Sequence, residues 1–213
     1  MTSLLLASRS TDKLREIREL VAATGFRIIS LDEAGFMSTS EEEDIEIFDT
    51  FLENARAKAE WFGRKAAMTT LADDSGICVD ALSGAPGVLS RRFSGRTDLV
   101  GRALDEENNR MLLARLAGRA DADRGAAYVC AAVIRRADGR MLESVGSVRG
   151  RILPEPAGKG GFGYDPLFLV PEMHRSFGEI PAELKHSLSH RARAIRGLIA
   201  QADAFLNAGR QRG

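Results

Sequence analysis

The stretch LADDSG at residues 71–76 decides how the rest of the chain is interpreted. Its apolar start predicts the end of a buried strand, and Ser75-Gly76 predicts a turn. Successive side chains of a strand point to opposite faces, so Asp73 and Asp74 cannot both face one site while the strand continues. We therefore expect one of them to be structural and the other active. A carboxylate at a strand end can hold Mg²⁺ or act as a general base.

A second informative stretch is GGFGYDP at residues 160–166. It places two aromatic side chains, Phe162 and Tyr164, in a glycine-rich loop beside Asp165. Aromatic rings can stack on a flat heterocycle, and glycines allow the backbone to approach a ligand closely. Together with a metal-binding acid, this loop indicates a nucleotide whose phosphates react rather than its base.

The start of the chain has the pattern of a phosphate-binding turn. A short buried strand at residues 4–7 precedes a polar turn, and Ser10 or Thr11 can cap the amphipathic helix that follows. This order offers N–H groups and hydroxyls to a phosphate. The chain has five lysines among 30 basic residues, which makes Lys13 and Lys185 candidates for a specific point charge.

Periodicity and turn signals predict the other elements. Strands are expected at residues 27–31, 126–135, 141–153 and 167–170, and helices at residues 50–62, 105–116 and 184–207. Thr50 and Glu53 have the spacing of a capping box, and Gly63 predicts the end of that helix. Asp138-Gly139 predicts a hairpin turn between two long strands.

Composition excludes several classes of protein. Basic and acidic residues balance at 30 each, so no basic field is present that could hold a nucleic acid polymer. No apolar run is long enough to span a membrane, and the N-terminal apolar stretch is too short for a signal peptide. Cys78 and Cys130 lie in apolar surroundings, which is typical of reduced thiols in a cytoplasmic protein.

The motifs favour hydrolytic chemistry. The sequence has no Cys/His pattern for zinc, no Walker A motif and no G-x-S-x-G elbow. A covalent mechanism through Ser75 is an alternative, but no base with a plausible partner accompanies it. Metal-assisted hydrolysis remains, in which carboxylates hold Mg²⁺ and position water. The candidate acids are Glu46, Asp73, Asp74 and Asp165.

Six motifs in one order resemble those of a known family. They are TFLENA at 50–55, ADDSG at 72–76, GAPG at 84–87, EPAG at 155–158, GFGYDP at 161–166 and SHR at 189–191. Over nearly its whole length the chain resembles the inosine-triphosphate pyrophosphatases, which are Ham1-type non-canonical purine nucleoside triphosphatases.

The resemblance implies a fold and an activity. The fold would be α/β, a single domain over residues 1–213 with an elongated, long twisted mixed β-sheet and flanking helices that form two lobes around a central cleft. The activity would be Mg²⁺-dependent hydrolysis of ITP, dITP and XTP to the monophosphate and pyrophosphate, which cleanses the nucleotide pool. The family is usually homodimeric, so a homodimer is expected.

The resemblance also implies roles for individual residues. Glu46 and Asp74 would hold Mg²⁺, and Asp74 would also activate water. The phosphates would be bound by Ser8, Arg9, Ser10, Thr11, Asp12, Lys13, Asn54 and Lys58. Phe162 and Tyr164 would hold the base, and Lys185, His190 and Arg191 would read its edge. Further substrate-binding candidates are Ser75, Gly163 and Asp165.

One motif departs from the family. The first turn usually reads Thr-Gly-Asn, whereas this chain has Ser8-Arg9-Ser10, so a bulky cation replaces a glycine. Arg9 could add a positive charge near the phosphates. Two alternatives stay open at this point. The stretch LASRS at residues 6–10 resembles the opening of the Maf nucleotide pyrophosphatases, which would act on modified pyrimidine nucleotides. The altered turn is also compatible with a nucleotide-binding regulator that has lost catalysis.

Overall fold

The computed structural model describes residues 1–208, apart from the side chain of His186. The strands are β1 (Thr2–Leu6), β2 (Phe26–Ile29), β3 (Thr70–Val79), β4 (Gly125–Arg135), β5 (Met141–Ile152), β6 (Phe168–Val170) and β7 (Arg175–Ser176). The α-helices are α1 (Thr11–Val21), α2 (Phe51–Ala66), α3 (Gly101–Arg115), α4 (Ala182–Leu188) and α5 (His190–Asn207). None of the helices in this range has both the length and the hydrophobicity needed to cross a membrane.

The strands form one mixed sheet in the order β2-β1-β3-β4-β5-β6-β7. β1 pairs in parallel with β2 and β3, whereas β6 pairs antiparallel with β5 and β7. The predicted hairpin is confirmed as β4 and β5, whose turn contains Gly139 at a φ of +89°. A mixed sheet with flanking helices confirms the expected α/β class.

The chain divides into two compact units. Unit 1 consists of Met1–Asp74, Cys130–Gly146 and the chain from His190 onward. Its strands are covered by α1 and α5 on one face and by α2 on the other. Ile17 of α1 and Ile195 of α5 belong to the first apolar cluster, and Phe62 of α2 belongs to the second. Burial of these apolar faces is the main stabilising term for the unit.

Unit 2 consists of Ser75–Val129 and Ser147–Ser189. Its core is rich in aromatic side chains, and the rings of Tyr128, Phe168 and Phe177 pack against one another at centroid separations of 4.7–6.0 Å. Such ring pairs add stabilisation beyond the area that they bury.

The predicted turn at Ser75-Gly76 is wrong, because β3 continues through it to Val79. Gly76 allows another chain segment to approach β3 closely and does not form a turn. A Cβ at this position would lie 2.5 Å from the carbonyl oxygen of Gly87 and 2.3 Å from the hydroxyl of Ser90. The same hydroxyl accepts a hydrogen bond from the N–H of Ile77 at 2.9 Å.

Two predicted helix boundaries are also wrong. The Thr50 capping box is confirmed, but α2 passes through Gly63 and ends at Ala66. Gly63 is a packing position, since a Cβ there would lie 3.1 Å from Arg135 and 3.2 Å from Thr70. The helix predicted from residue 184 to 207 is two helices, because Ser189 is extended at a φ of −65° and a ψ of 155°.

Candidate active site

The acid pair lies inside β3, and its two members face opposite sides of the sheet. Leu71 packs in the cluster under α1 and α5, whereas Ala72 packs in the cluster under α2. The alternation continues, so Asp73 faces α1 and α5 and Asp74 faces α2. The N–H of Ala7 donates to the carbonyl of Leu71 at 2.8 Å, so the turn after β1 begins beside the pair.

Asp74 lies among side chains of α2 and the segment that precedes it. Asn54 Nδ2 donates to Asp74 Oδ2 at 3.2 Å, and Lys58 Nζ lies 3.7 Å from Asp74 Oδ1. Lys58 Nζ also donates to Glu46 Oε1. Asn54 and Lys58 are one helical turn apart, which allows both to reach the same carboxylate. Two carboxylates, of Glu46 and Asp74, therefore converge on one ammonium group.

The surroundings shift the pKa of each group in this cluster. Burial raises the pKa of Asp74, against the lowering effect of Lys58, and the negative charge of Glu46 raises it further. Burial would also raise the pKa of Glu46, but the charge and hydrogen bond of Lys58, together with the charge of Lys13, outweigh burial and lower the pKa. The pKa of Lys58 is raised, because the two carboxylates outweigh its burial. A raised pKa makes Asp74 the stronger base of the two acids.

The donors of this cluster suit a hard divalent cation. Carboxylate oxygens are the ligands that Mg²⁺ prefers, and Glu46 and Asp74 both present them to a position that already attracts a positive charge. In residues 1–208 there is no group of three or more Asp, Glu, His or Cys side chains arranged to hold a metal. Glu46 and Asp74 are therefore the residues that would hold such a cation, with water completing its coordination.

Asp73 is fully buried in a network of charges on the other face of the sheet. Its Oδ2 lies 3.1 Å from Lys13 Nζ and accepts from Arg191 Nε at 3.2 Å. Arg191 Nη1 also donates to Glu16 Oε2. Burial alone would raise the pKa of Asp73, but Lys13 and Arg191 lower it well below its usual range. Asp73 thus holds Lys13 and Arg191 in place, which is the structural role expected of one member of the pair.

The turn after β1 leads into α1 as predicted. Ser10 is the N-cap of α1, and its hydroxyl accepts from the N–H of Lys13 at 3.3 Å. The hydroxyl of Ser8 accepts from the N–H of Ser10 at 3.2 Å. Thr11 is exposed, and Asp12 pairs with Arg15 at 2.9 Å on the surface. The hydroxyls and the helix start that we expect to contact phosphate are therefore present.

The hydrogen bonds of Arg9 do not favour a simple phosphate-binding role. Its Nε and Nη2 donate to the two carboxylate oxygens of Glu42 at 3.1 and 2.7 Å. Its Nη1 donates to Asp32 Oδ1 at 3.1 Å and to the carbonyl of Phe36 at 2.8 Å. All three partners belong to the segment between β2 and α2, which also carries Glu46.

The glycine-aromatic loop of unit 2 is organised by a buried ion pair. Lys185 Nζ donates to Asp165 Oδ2 at 2.7 Å, and the same oxygen accepts from the N–H of Phe162 at 2.8 Å. The ammonium lies 4.7 Å from the centroid of the Phe162 ring, in the geometry of a cation–π contact. The structure therefore brings Phe162, Asp165 and Lys185 together.

Tyr164 has different surroundings from Phe162. Its side chain belongs to the apolar core of unit 2, and its hydroxyl donates to the carbonyl of Ser90 at 2.8 Å. Burial raises its pKa. Phe162 is half-buried. Of the two rings expected to hold a base, that of Phe162 is the more accessible, and Tyr164 anchors the loop.

Gly163 is held between two side chains of α3. Its N–H donates to Asp105 Oδ2 at 2.8 Å, and its carbonyl accepts from Asn109 Nδ2 at 3.0 Å. Asp105 and Asn109 are four residues apart, so they share one face of the helix. Gly163 has a φ of +62°, a conformation in which other residues are strained. We call these two side chains the α3 clamp.

The remaining candidates, Ser75 and His190, lie in β3 and at the start of α5. Ser75 is half-buried within β3, and His190 is buried at the first position of α5. A Cβ at Gly146 would lie 2.2 Å from the carbonyl oxygen of His190, so β5 and the first turn of α5 are in close contact. Two of the three nitrogens of Arg191 donate to the carboxylates of Asp73 and Glu16. The recognition of a base edge by His190 and Arg191 therefore stays a prediction.

The sequence did not reveal several residues of these clusters. Glu16, Asp105, Asn109 and Ser90 contact candidate residues, yet none of them lies in a recognisable motif. Glu16 directly precedes the core residue Ile17 on α1, and this position beside an apolar face was its only sequence signal.

A sequence profile described as the Ham1 family matches residues 4–201. The chain belongs to the Ham1 family. It is 43% identical over 196 residues to a dITP/XTP pyrophosphatase of Frankia alni, covering 91% of this chain and 94% of that protein. A dITP/XTP pyrophosphatase of Ralstonia nicotianae is 41% identical over 210 residues, covering 98% and 100% of the two chains.

Solved Ham1 structures share the fold. A HAM1 protein from Coxiella burnetii superimposes with a TM-score of 0.82 at 33% identity, covering 96% of this chain and all of the other. The nucleoside-triphosphatase and dITP/XTP pyrophosphatase of Mycobacterium abscessus gives a TM-score of 0.72 at 37% identity, covering 92% and 98%. Membership of the Ham1 family confirms the resemblance drawn from the six motifs.

Proposed function

We propose that the protein hydrolyses dITP, XTP and ITP to the nucleoside monophosphate and pyrophosphate, and so removes non-canonical purine nucleotides. The observation that carries the proposal is the convergence of Glu46 and Asp74 on Lys58 beside the turn after β1. In this proposal the two carboxylates supply metal-binding oxygens and a base, and the hydroxyls and helix start beside them bind phosphate. The names of the relatives from Frankia alni and Ralstonia nicotianae support the choice of substrates.

In this proposal the phosphates are bound by unit 1. Ser8, Ser10 and the start of α1 bind phosphate oxygens, and Lys13 and Lys58 neutralise their charge. Glu46 and Asp74 would hold Mg²⁺, which would supply Lewis-acid stabilisation of charge on the phosphate oxygens. Asp74 accepts a proton from the attacking water, a role favoured by its raised pKa. Asn54 keeps that carboxylate in position through its hydrogen bond to Oδ2.

The base is bound by residues of the glycine-aromatic loop and its neighbours. Phe162 stacks on the ring, which does not discriminate between bases because every base has a π-face. Lys185 and Arg191 only donate hydrogen bonds, and donors suit the 6-keto oxygen of hypoxanthine or xanthine rather than the 6-amino group of adenine. Leaving a buried donor unpaired costs about 1–3 kcal/mol. Asp165 and His190 complete the proposed base site.

A product assay tests this function directly. The purified protein is incubated with Mg²⁺ and with dITP, XTP, ITP, ATP or a 5-methylated pyrimidine triphosphate, and pyrophosphate release is measured. We expect the three 6-keto purine substrates to be cleaved at least about tenfold more efficiently than ATP, which corresponds to one unpaired donor. Preferential cleavage of the modified pyrimidine nucleotide would favour the Maf-like alternative. Tight nucleotide binding without pyrophosphate release would favour a regulator.

The α3 clamp provides a prediction about base choice. Asn109→Ala removes the donor to the carbonyl of Gly163 and loosens the loop that carries Asp165, the carboxylate that positions the proposed base-edge donor Lys185. We expect the preference for ITP over ATP, measured as the ratio of kcat/KM values, to fall about five- to tenfold, as the loss of one hydrogen bond allows. Glu106→Ala, at an exposed position of the same helix, is the control. An unchanged ratio in Asn109→Ala would show that the clamp does not set base choice.

We also propose that the protein is a cytoplasmic homodimer, as is usual in the resembling family. The balanced charge and the absence of a membrane-spanning helix in residues 1–208 are compatible with this. Sedimentation equilibrium of the purified chain distinguishes a dimer from a chain of 23.1 kDa.

A further inference from the structure

We propose that Arg9 is a positioning residue that holds Glu46 in place by fixing the segment between β2 and α2 to the turn after β1. The inference rests on the proposed function for the role of Glu46, but the contacts themselves do not depend on it. These contacts also explain why this chain can carry a bulky cation at a position where the Ham1 family usually has glycine. Arg9 fills its position by binding a segment of its own unit.

The contacts of Arg9 reach three points along that segment. The guanidinium forms a two-point hydrogen-bonded pair with Glu42 and also contacts Asp32 and the carbonyl of Phe36. Such a fork fixes direction as well as distance, because the donors of arginine are rigid and planar. One side chain therefore ties together the start, middle and end of residues 32–42.

Of the ion pairs formed by Asp32, Glu33, Glu41 and Glu42, the pair between Arg9 and Glu42 is the least exposed. The side chains of Arg9 and Glu42 are 27% and 14% exposed. The neighbouring pair between Lys65 and Glu41 has exposures of 46% and 66%, so water screens it more strongly. Most other residues from 37 to 44 are exposed and contribute little apolar burial. The segment therefore depends on Arg9 for much of its order.

Glu46 lies only four residues beyond Glu42. The intervening chain is a 3₁₀ helix over Ser40–Asp44 followed by the buried side chain of Ile45. A short, regular connection of this kind transmits the position of Glu42 to Glu46. Lys58 then fixes the carboxylate of Glu46 from α2. Arg9 and Lys58 together fix the position of Glu46 before any metal binds. A metal ligand needs supporting contacts of this kind to hold its carboxylate in the right orientation.

A direct phosphate-binding role for Arg9 is less compatible with these contacts. Hydrogen bonding to Glu42 raises the pKa of Arg9, and the same bonds lower the pKa of Glu42. A phosphate would have to displace Glu42 and Asp32, which already neutralise the guanidinium. The two roles make different predictions for Glu42→Gln. Weakening the pair should loosen the segment if Arg9 positions Glu46, but should release Arg9 for phosphate if it is a ligand.

The test compares Arg9→Ala and Glu42→Gln with the wild type. The matched control is Arg56→Ala, which removes another two-point Arg–Glu pair of unit 1, with Glu143 at 2.6 and 2.7 Å. The first readout is hydrogen exchange of residues 32–46 in Mg²⁺-free protein, which requires no activity. We expect exchange there to accelerate about tenfold in Arg9→Ala, in Glu42→Gln and in the double variant, and to stay unchanged in Arg56→Ala.

The second readout is the Mg²⁺ requirement of pyrophosphate release. We expect the half-saturating Mg²⁺ concentration to rise about five- to tenfold in both variants, with turnover at saturating Mg²⁺ within about twofold of wild type, as for loss of a supporting contact. Unchanged exchange at residues 32–46 would overturn the proposal. So would a raised nucleotide KM in Arg9→Ala with an unchanged Mg²⁺ requirement, which is the result for a phosphate ligand. A wild type that releases no pyrophosphate would contradict the proposed function, while the exchange result would still decide the role of Arg9.

Discussion

We expect Asp74→Asn to lower turnover at least about a hundredfold, within the range that one general base contributes, and to leave the protein folded. The change keeps the shape of the side chain and removes both its basicity and its charge toward Mg²⁺. Stability should not suffer, because burial raises the pKa of Asp74 and the folded state therefore disfavours its ionised form. The measurement pairs steady-state kinetics with ITP and a thermal melt.

Asp98→Asn serves as the control for this prediction, since it makes the same chemical change at an exposed carboxylate paired with Arg96. It should alter neither turnover nor the melting temperature. Wild-type turnover in Asp74→Asn would end the assignment of Asp74 as base. A large fall in its melting temperature would instead indicate that Asp74, like Asp73, is held as a structural anion.

Arg191→Ala should have the largest effect on stability. Arg191 is buried between Asp73 and Glu16. Its removal takes this ion-pair partner from both acids, although Asp73 keeps its pair with Lys13. Breaking a buried ion pair by removing one partner costs about 3–5 kcal/mol. Urea unfolding at pH 7 should show a loss of that size. Arg196→Ala, at an exposed position of the same helix, should change stability by less than about 0.5 kcal/mol.

The pH dependence gives this prediction a second check. The folded pKa of Asp73 is lowered, so its ionised form contributes stability above the unfolded pKa of about 3.9, and that contribution is lost as the pH falls. The wild type should therefore lose stability on acidification, and its advantage over Arg191→Ala should narrow below about pH 4. If the free energies of unfolding of the wild type and Arg191→Ala differ by the same amount at pH 7 and pH 3.5, the assigned charge network is contradicted.

The size of this effect changes how base recognition by Arg191 should be tested. A variant that unfolds cannot report on substrate preference. Arg191→Lys keeps a positive charge beside Asp73 and removes the planar fork, so it is the more informative change. A loss of preference for ITP in a folded Arg191→Lys protein would support the reading of the base edge by this residue.

The sequence predicted the elements of this fold better than their ends. Strand alternation required Asp73 and Asp74 to have different surroundings, and the structure confirms this. Sequence rules predict a helix end at Gly63 and a turn at Gly76. In the structure both glycines are positions where another chain segment approaches closely. Close approach is a tertiary property, and in a single sequence a glycine that marks close approach looks the same as one that marks a turn.

The motifs predicted the candidate site, but they did not predict its supporting contacts. The hydrogen-bonded groups around Asp74 and Asp165 include Asn54, Lys58 and Lys185, all of which lie in or near recognisable motifs. Glu16 and the α3 clamp were missed because a polar residue on a helix usually faces solvent. Their partners are 54 or more residues away in the sequence, a separation that local patterns cannot bridge.

The alternation of β3 also has a consequence for engineering a more heat-tolerant enzyme. Asp73 and Asp74 are neighbours in the chain, but their side chains meet different helices. Substitutions at buried apolar positions between α1 and α5 can therefore be screened separately from the carboxylate cluster on the α2 side, provided that Ser10, Lys13 and Arg191 are kept. A designer could raise the operating temperature by repacking that apolar core without replacing any side chain of the proposed metal site.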